Sequence, residues 1–299
     1  MRRGAIALTV AALLAVGGCA EPRSGSLGPA PTAAPPAAST PPGAVTPAPS
    51  STGPGPTGPS GPGAATTPPA PTGPTAAPTG TVTIELWYVR DGRIAPTRRT
   101  RPATVATSRL ALTELATGPT AAERATGLAT LVPAGTEVSR IADGTAVLGV
   151  LPTTGGPAAV RLREAQVVWT LTQFPTVRRV RFGTAGPVDR TDYADLLPPI
   201  VVTTPLIGAR VTSPVTVAGT ADVFEATVSV RVLDAGGREI ATTFTTATCG
   251  TGCRGDYRVA VSYRVDREQA GTVEVYEVSP ADGSRTKVVA VPVRLTPRR

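Results

Sequence analysis

From Ala20 to Gly80 the chain holds little but Pro, Ala, Thr, Gly and Ser, as in "PPGAVTPAPSSTGPGPTGPSGPG". Such a stretch has too little apolar bulk to offset the entropy of ordering it. Residues 19–80 therefore read as a disordered linker. Proline biases it towards polyproline II, and at ~3.1 Å per residue a tether of this length reaches on the order of 100 to 200 Å. Folded structure is left to roughly 220 of the 299 residues, enough for about two domains.

Ahead of the linker stand Met1-Arg2-Arg3 and an uncharged run from Ala5 to Val16. A comfortable span needs about 18 apolar residues, so residues 1–18 read as an export signal. Val16-Gly17-Gly18-Cys19 resembles the lipobox of bacterial lipoproteins. That likeness implies lipidation of Cys19, cleavage before it, and anchoring of palmitate-class chains on the extracytoplasmic face of the cell membrane. Two or three chains on one residue hold firmly where one would be marginal.

Charge is dispersed. Lys plus Arg against Asp plus Glu number 3 and 1 over residues 1–80, 14 and 10 over 81–199, and 12 and 10 over 200–299. No segment has the excess of a nucleic-acid binder, and mild attraction to anionic lipid or wall polymer is the reading of the net +8. The chain has no histidine, which removes Ser-His-Asp and Cys-His catalysis and imidazole acid–base chemistry. Neither a Gly-x-Ser-x-Gly elbow nor a P-loop occurs, and no cofactor is implied.

Carboxylate-pair chemistry survives that exclusion. Glu85, Glu114, Glu123, Glu137 and Glu164 are the candidates, each read as a solvated residue. Asp189, Asp192 and Asp195 lack EF-hand spacing and read as a polar interdomain linker over 187–199. Arg178, Arg179 and Arg181 alternate around Val177, Val180 and Phe182 as the polar side of a strand, with wall phosphates or a partner's acids as the sharper alternative. Trp87 and Trp169 read as buried rings rather than a sugar platform. Cys249 and Cys253, spaced C-x3-C, read as a disulfide pinning a hairpin tip; without histidine or further cysteines they do not make a zinc site.

The folded segments follow. "TVTIELWYVR" is β-branched and aromatic, with a turn at Asp91-Gly92. "SRLALTELATGP" predicts a short helix with Leu110, Leu112 and Leu115 near helical spacing, and "GTEVSRIADGTAVLGVL" a hairpin about Asp143-Gly144. In "AVRLREAQVVWTLTQFP", Val160, Val167, Val168, Leu171 and Phe174 share a helical stripe, with Arg161, Arg163 and Gln173 off it and Pro175 at the end. "TVRRVRFGTAG" is a last strand. The order is that of an α+β domain over 81–186.

"LTELATGPTAAERATGLATLVPAGTEV", "DGTAVLGV" and "VVWTLTQFPTVRRVRF" resemble the sporulation and spore germination domain called GerMN. After the hairpin that family usually has an Asp and a small polar residue, where this chain runs "LGVLPTTGG". From Ile200 helical signals vanish. Val228, Val230 and Val232 alternate with Ser229 and Arg231, and Tyr257, Val259, Val261 and Tyr263 with Arg258, Ala260 and Ser262. Six to eight such strands over 200–299 predict an all-β immunoglobulin-like sandwich, with Pro292 on an edge strand or at a bulge. "SPVTVAGTA" and "VYEVSPADGS" resemble the immunoglobulin-like domain of bacterial spore germination.

These readings converge on a non-enzymatic cell-envelope lipoprotein with binding or scaffold domains. The resemblance implies a part in envelope assembly, sporulation or germination. The partners expected are the membrane through Cys19 and an envelope protein or cell-wall polymer, with no nucleic acid and self-association left open. An exported wall hydrolase using two carboxylates is the alternative, and a solute receptor ranks last.

Overall fold

The computed structural model describes residues 78–298. The export signal, Cys19 and the linker up to residue 77 lie outside the described residues. Strand β1 (Thr81–Arg90) turns at Asp91-Gly92 into β2 (Arg93–Pro102), pairing in unbroken register from Thr81 with Pro102 to Arg90 with Arg93. Helix α1 (Thr107–Thr117) and the single turn α2 (Ala121–Arg124) follow. Strands β3 (Val138–Ala142) and β4 (Thr145–Leu148) form the expected hairpin, and β5 (Arg179–Phe182) pairs parallel to β4 after helix α3 (Gly156–Leu171). Ile84, Leu86, Tyr88, Leu112, Leu115, Leu148, Val167, Val168, Leu171 and Val180 make the core.

Strand β2 is absent from the sequence reading. Its segment "RIAPTRRTRP" contains two prolines and four arginines, which ordinarily argue against a strand. The structure resolves this at Pro96, which faces Trp87. The Trp87 N–H and C=O point away from β2, so the N–H that Pro96 lacks is never required.

The outer edge of β1 is instead completed by side chains. Gln173 Oε1 accepts from the Glu85 N–H and its Nε2 donates to the Glu85 carbonyl, both at 2.7 Å. Thr170 Oγ1 accepts from the Trp87 N–H at 3.1 Å, and Gln166 Nε2 donates to the Trp87 carbonyl at 3.0 Å. Val89 exchanges bonds of 2.8 and 2.9 Å with Ala129. The polar stripe 166, 170, 173 follows helical spacing beside the apolar one. Arg163 and Gln173, off the apolar stripe, are therefore not solvated: Arg163 is 6 % exposed, donating to the Leu131, Pro152 and Thr154 carbonyls. Helix α3 begins at Gly156 and ends at Leu171, earlier at both ends than the 159–175 segment read from the sequence.

The second domain is a sandwich. One sheet runs β10 (Glu239–Thr246), β9 (Thr227–Leu233), β12 (Gln269–Val278), β13 (Arg285–Thr296), β7 (Arg210–Thr212); the other runs β11 (Gly255–Val261), β8 (Val215–Ala221), β6 (Ile200–Thr204). Val228, Val230 and Val232 are fully buried, beside Val273 and Val275 of β12 in the same sheet and in one core with Tyr257 and Val261 of the other. Pro292 lies in β13, between β12 and β7. Because β7 pairs only with Arg294–Thr296, β13 is locally an edge there, and the Pro292 carbonyl accepts from Gly208 N–H at 2.8 Å. Among the described residues no helix is long and apolar enough to cross a membrane.

Candidate binding surfaces

Of the five glutamates offered for carboxylate chemistry, four are engaged and none of those by another acid. Glu123, expected in solvent, is 3 % exposed. Its oxygens accept from Arg99 at 2.9 and 2.5 Å, from Thr97 Oγ1 at 2.5 Å and from the Thr120 N–H at 2.8 Å. Burial pushes its carboxyl upward, but these hydrogen bonds outweigh it and hold the group down to about 2. The reading fails because "TAAER" looks like a surface turn, whereas α2 turns its capping carboxylate towards Arg99 on β2, a strand hidden from sequence inspection.

Glu114 chelates Arg101 through two 2.7 Å bonds, Glu85 accepts from the Trp87 indole at 2.9 Å, and Glu164 accepts from the Tyr193 hydroxyl at 3.0 Å. Glu137 alone stands exposed without a recorded partner among the described residues. The structure thus brings these acids together with arginines and hydroxyls rather than with one another. Trp87 and Trp169 pack together with ring centroids 4.6 Å apart and planes tilted by 51°, and the Arg190 guanidinium lies 4.6 Å over Trp169.

Residues 187–199 are fastened along their length. Asp189 caps the 3-10 turn Arg190–Leu196 by accepting from the Thr191 N–H at 2.8 Å, Asp192 accepts from the Asp189 N–H at 2.7 Å, and Asp195 pairs with Arg161 at 2.7 Å. Tyr193 and Leu197 enter the first core. In the second domain Cys249 and Cys253 are bonded to each other, with Cα atoms 5.7 Å apart, in the loop between β10 and β11.

The feature with most to offer a partner is β10. It ends its sheet, pairing only with β9, so alternate backbone N–H and C=O groups face outward. After Glu239 and the register shift beside it, Ile240 to Thr246 carry no charge and no proline, the usual means of blunting an open edge. Phe244, facing Ser229 across the ladder, is 70 % exposed. Beyond Ser229 lies Tyr276, beneath Arg231 and Arg285 with guanidinium carbons 6.0 and 5.8 Å from its ring centre.

Residues 74–187 match the family model described as "Sporulation and spore germination", and residues 199–284 match "Immunoglobulin-like domain of bacterial spore germination". The chain carries these two domains in that order. Similar solved structures include the first GerMN domain of the sporulation protein GerM from Bacillus subtilis, at 25 % identity over 36 % of this chain and 86 % of that one, TM-score 0.30. The tandem GerMN domains of the same protein match at 15 % identity over 73 % of this chain and 61 % of that one, TM-score 0.32. No curated protein matches the chain.

The joint between the GerMN and immunoglobulin-like domains is built from β6. Ile200 enters the second core and Val201 the first, as neighbours on a strand point to opposite sides. Arg93 of the GerMN domain donates to the Asp195 and Leu197 carbonyls, both at 2.9 Å. From the other side Arg254 donates to the Pro198 carbonyl at 2.6 Å, and the Asp222 N–H to the Pro199 carbonyl at 2.8 Å.

Proposed function

We propose that this protein is a non-enzymatic binding component of the bacterial cell envelope, lipid-anchored through Cys19 and carried off the membrane by its Pro-rich linker. Its immunoglobulin-like domain receives an extended segment of an envelope protein as an added strand beside β10. The open, uncharged edge with Phe244 70 % exposed is the observation that supports this. Main-chain bonds along such an edge supply affinity, and a projecting aromatic supplies specificity. The two domains, described for sporulation and spore germination, support a role in envelope assembly, sporulation or germination.

A photo-crosslinking side chain at Thr242, beside Phe244 on the outer face, tests the reading in intact cells. A discrete partner protein captured there, and lost with Phe244→Lys, is the expected result. Capture of nothing, or capture indifferent to Phe244→Lys, overturns it. Cys19→Ala is expected to release the protein from the membrane fraction, and retention would refute the lipid anchor.

A further inference from the structure

The small sheet of the GerMN domain, β3, β4 and β5, turns one face outward. Arg140 on β3 faces Val147 on β4, and Val147 faces Arg181 on β5, so all three share one side. Arg179, two residues before Arg181, points the same way and faces Thr145. Ala146, Leu148, Val180 and Phe182 occupy the opposite, buried side. Strand spacing of about 4.8 Å puts the Arg140 and Arg181 backbones roughly 10 Å apart, and Arg179 and Arg181 about 7 Å apart. Arg178 closes the row by lying against the hairpin turn, where it donates to the Asp143 carbonyl at 3.3 Å.

None of these four arginines joins an ion pair among the described residues, although nine other cationic side chains do. Asp189, beyond β5, feels the Arg179 charge, but its hydrogen bonds go to Thr191 in its own turn and it forms no ion pair with Arg179. The cross-strand partners of Arg140, Arg179 and Arg181, namely Val147 and Thr145, carry no charge to offset theirs. Arg181 adds an independent sign, because its Nε is buried with no hydrogen-bond partner. Among these arginines the one apolar side chain is the half-buried Val147, too little for a membrane-binding face. Ile141 points to the other side, opposite Ala146, and Val150 lies beyond the end of β4.

We infer that Arg140, Arg179 and Arg181 form a binding strip for a linear phosphodiester polymer of the cell wall. A planar guanidinium binds phosphate oxygens in pairs, and three of them set in an L, one arm across the strands and one along β5, offer sites to successive phosphates of a chain where a single anion fills only one. The polymer meets this strip only if the chain is exported, as proposed above. A binding assay with purified protein does not depend on export, so its failure would remove the strip and leave the localisation standing.

The test is fluorescence anisotropy of a labelled poly(glycerol phosphate) oligomer titrated with the protein between about 50 and 200 mM salt. Three contacts at roughly 0.7 counterions each predict a log–log slope near −2, a loss of about fifteen-fold across that range. Substituting all three arginines by Gln is expected to abolish binding, and Arg140→Gln alone, at an exposed site, to reduce the slope by about 0.7. Arg258→Gln, on the other domain, should bind as wild type. Failure to bind at the lowest salt, or a slope unchanged by Arg140→Gln, overturns the inference. Binding to phosphatidylglycerol vesicles with the soluble polymer refused also overturns it, by assigning the strip to lipid.

Discussion

Gln166 is where one side chain carries most of the first domain's internal order. It is fully buried, its Nε2 donating to the Trp87 carbonyl at 3.0 Å and its Oε1 accepting from the Leu131 N–H at 2.8 Å. Leucine at this site keeps the volume and deletes both bonds, leaving a carbonyl and an N–H with neither partner nor water. Each such group costs about 1–3 kcal/mol, so Gln166→Leu is expected to destabilise the domain by roughly 2–6 kcal/mol. With a urea dependence of about 1.5 kcal/mol per molar, the centre of that range displaces the midpoint by some 2–3 M. Both tryptophans of the chain, Trp87 and Trp169, sit in contact in this domain, so tryptophan fluorescence reads its unfolding without interference from the sandwich. Gln166→Glu should be at least as damaging, since an acceptor replaces the donor beside a carbonyl. A midpoint for Gln166→Leu within about 0.5 M of wild type would refute the argument that side chains on α3 complete the edge of β1.

Two further outcomes follow from the structure. The Glu123 carboxyl is lowered from 4.5 to about 2, so its contribution is full above pH 4.5 and is lost as pH falls towards 2. That loss is on the order of 3 kcal/mol, measured as urea midpoints against pH, and Glu123→Gln should remove this dependence while lowering stability at neutral pH. Opening the Cys249–Cys253 bridge by Cys253→Ser frees a loop with a sequence separation of only 4 and should cost the immunoglobulin-like domain about 2 kcal/mol. Calorimetry should show the sandwich transition shifted by more than the tryptophan-detected one, which the shared strand β6 couples to it; a shift larger in the tryptophan signal would contradict this.

Much of the architecture is readable from local pattern. The alternation of Val228, Val230 and Val232 survives because one sheet face is dry and the other wet, and α1 and α3 are readable because their leucines and valines recur at helical spacing. Strand β2 is not readable, because its partners lie on another strand and its own residues are prolines and arginines. The same gap hides the environment of Glu123, whose partners Thr97 and Arg99 are both on β2. Gln166, Thr170 and Gln173 look like the polar side of a helix until it is known that an unpaired strand edge runs beside them. Phe244 fails to stand out for a related reason. "TTFTT" is an ordinary strand pattern, and its exposure depends on β10 ending the sheet, a matter of strand order rather than of neighbouring sequence.

The joint sets what the two surfaces can do together. A tether alone would let the domains present β10 and the arginine strip in any relative orientation. Strand β6 removes that freedom by sending Ile200 into one core and Val201 into the other. Rotation of one domain against the other would withdraw one of these side chains into water, at about 1.5–3 kcal/mol for full exposure of such a residue. It would also break the bonds from Arg93 and Arg254 to the carbonyls of Leu197 and Pro198. Each such bond to a charged donor is worth about 1.5–3 kcal/mol. Together these terms exceed thermal energy several-fold, so the domains move as one head and their surfaces keep a fixed mutual bearing. Contacts made at one surface then bring the other to a defined position, which raises its effective concentration towards a second site that matches the geometry and lowers it towards one that does not.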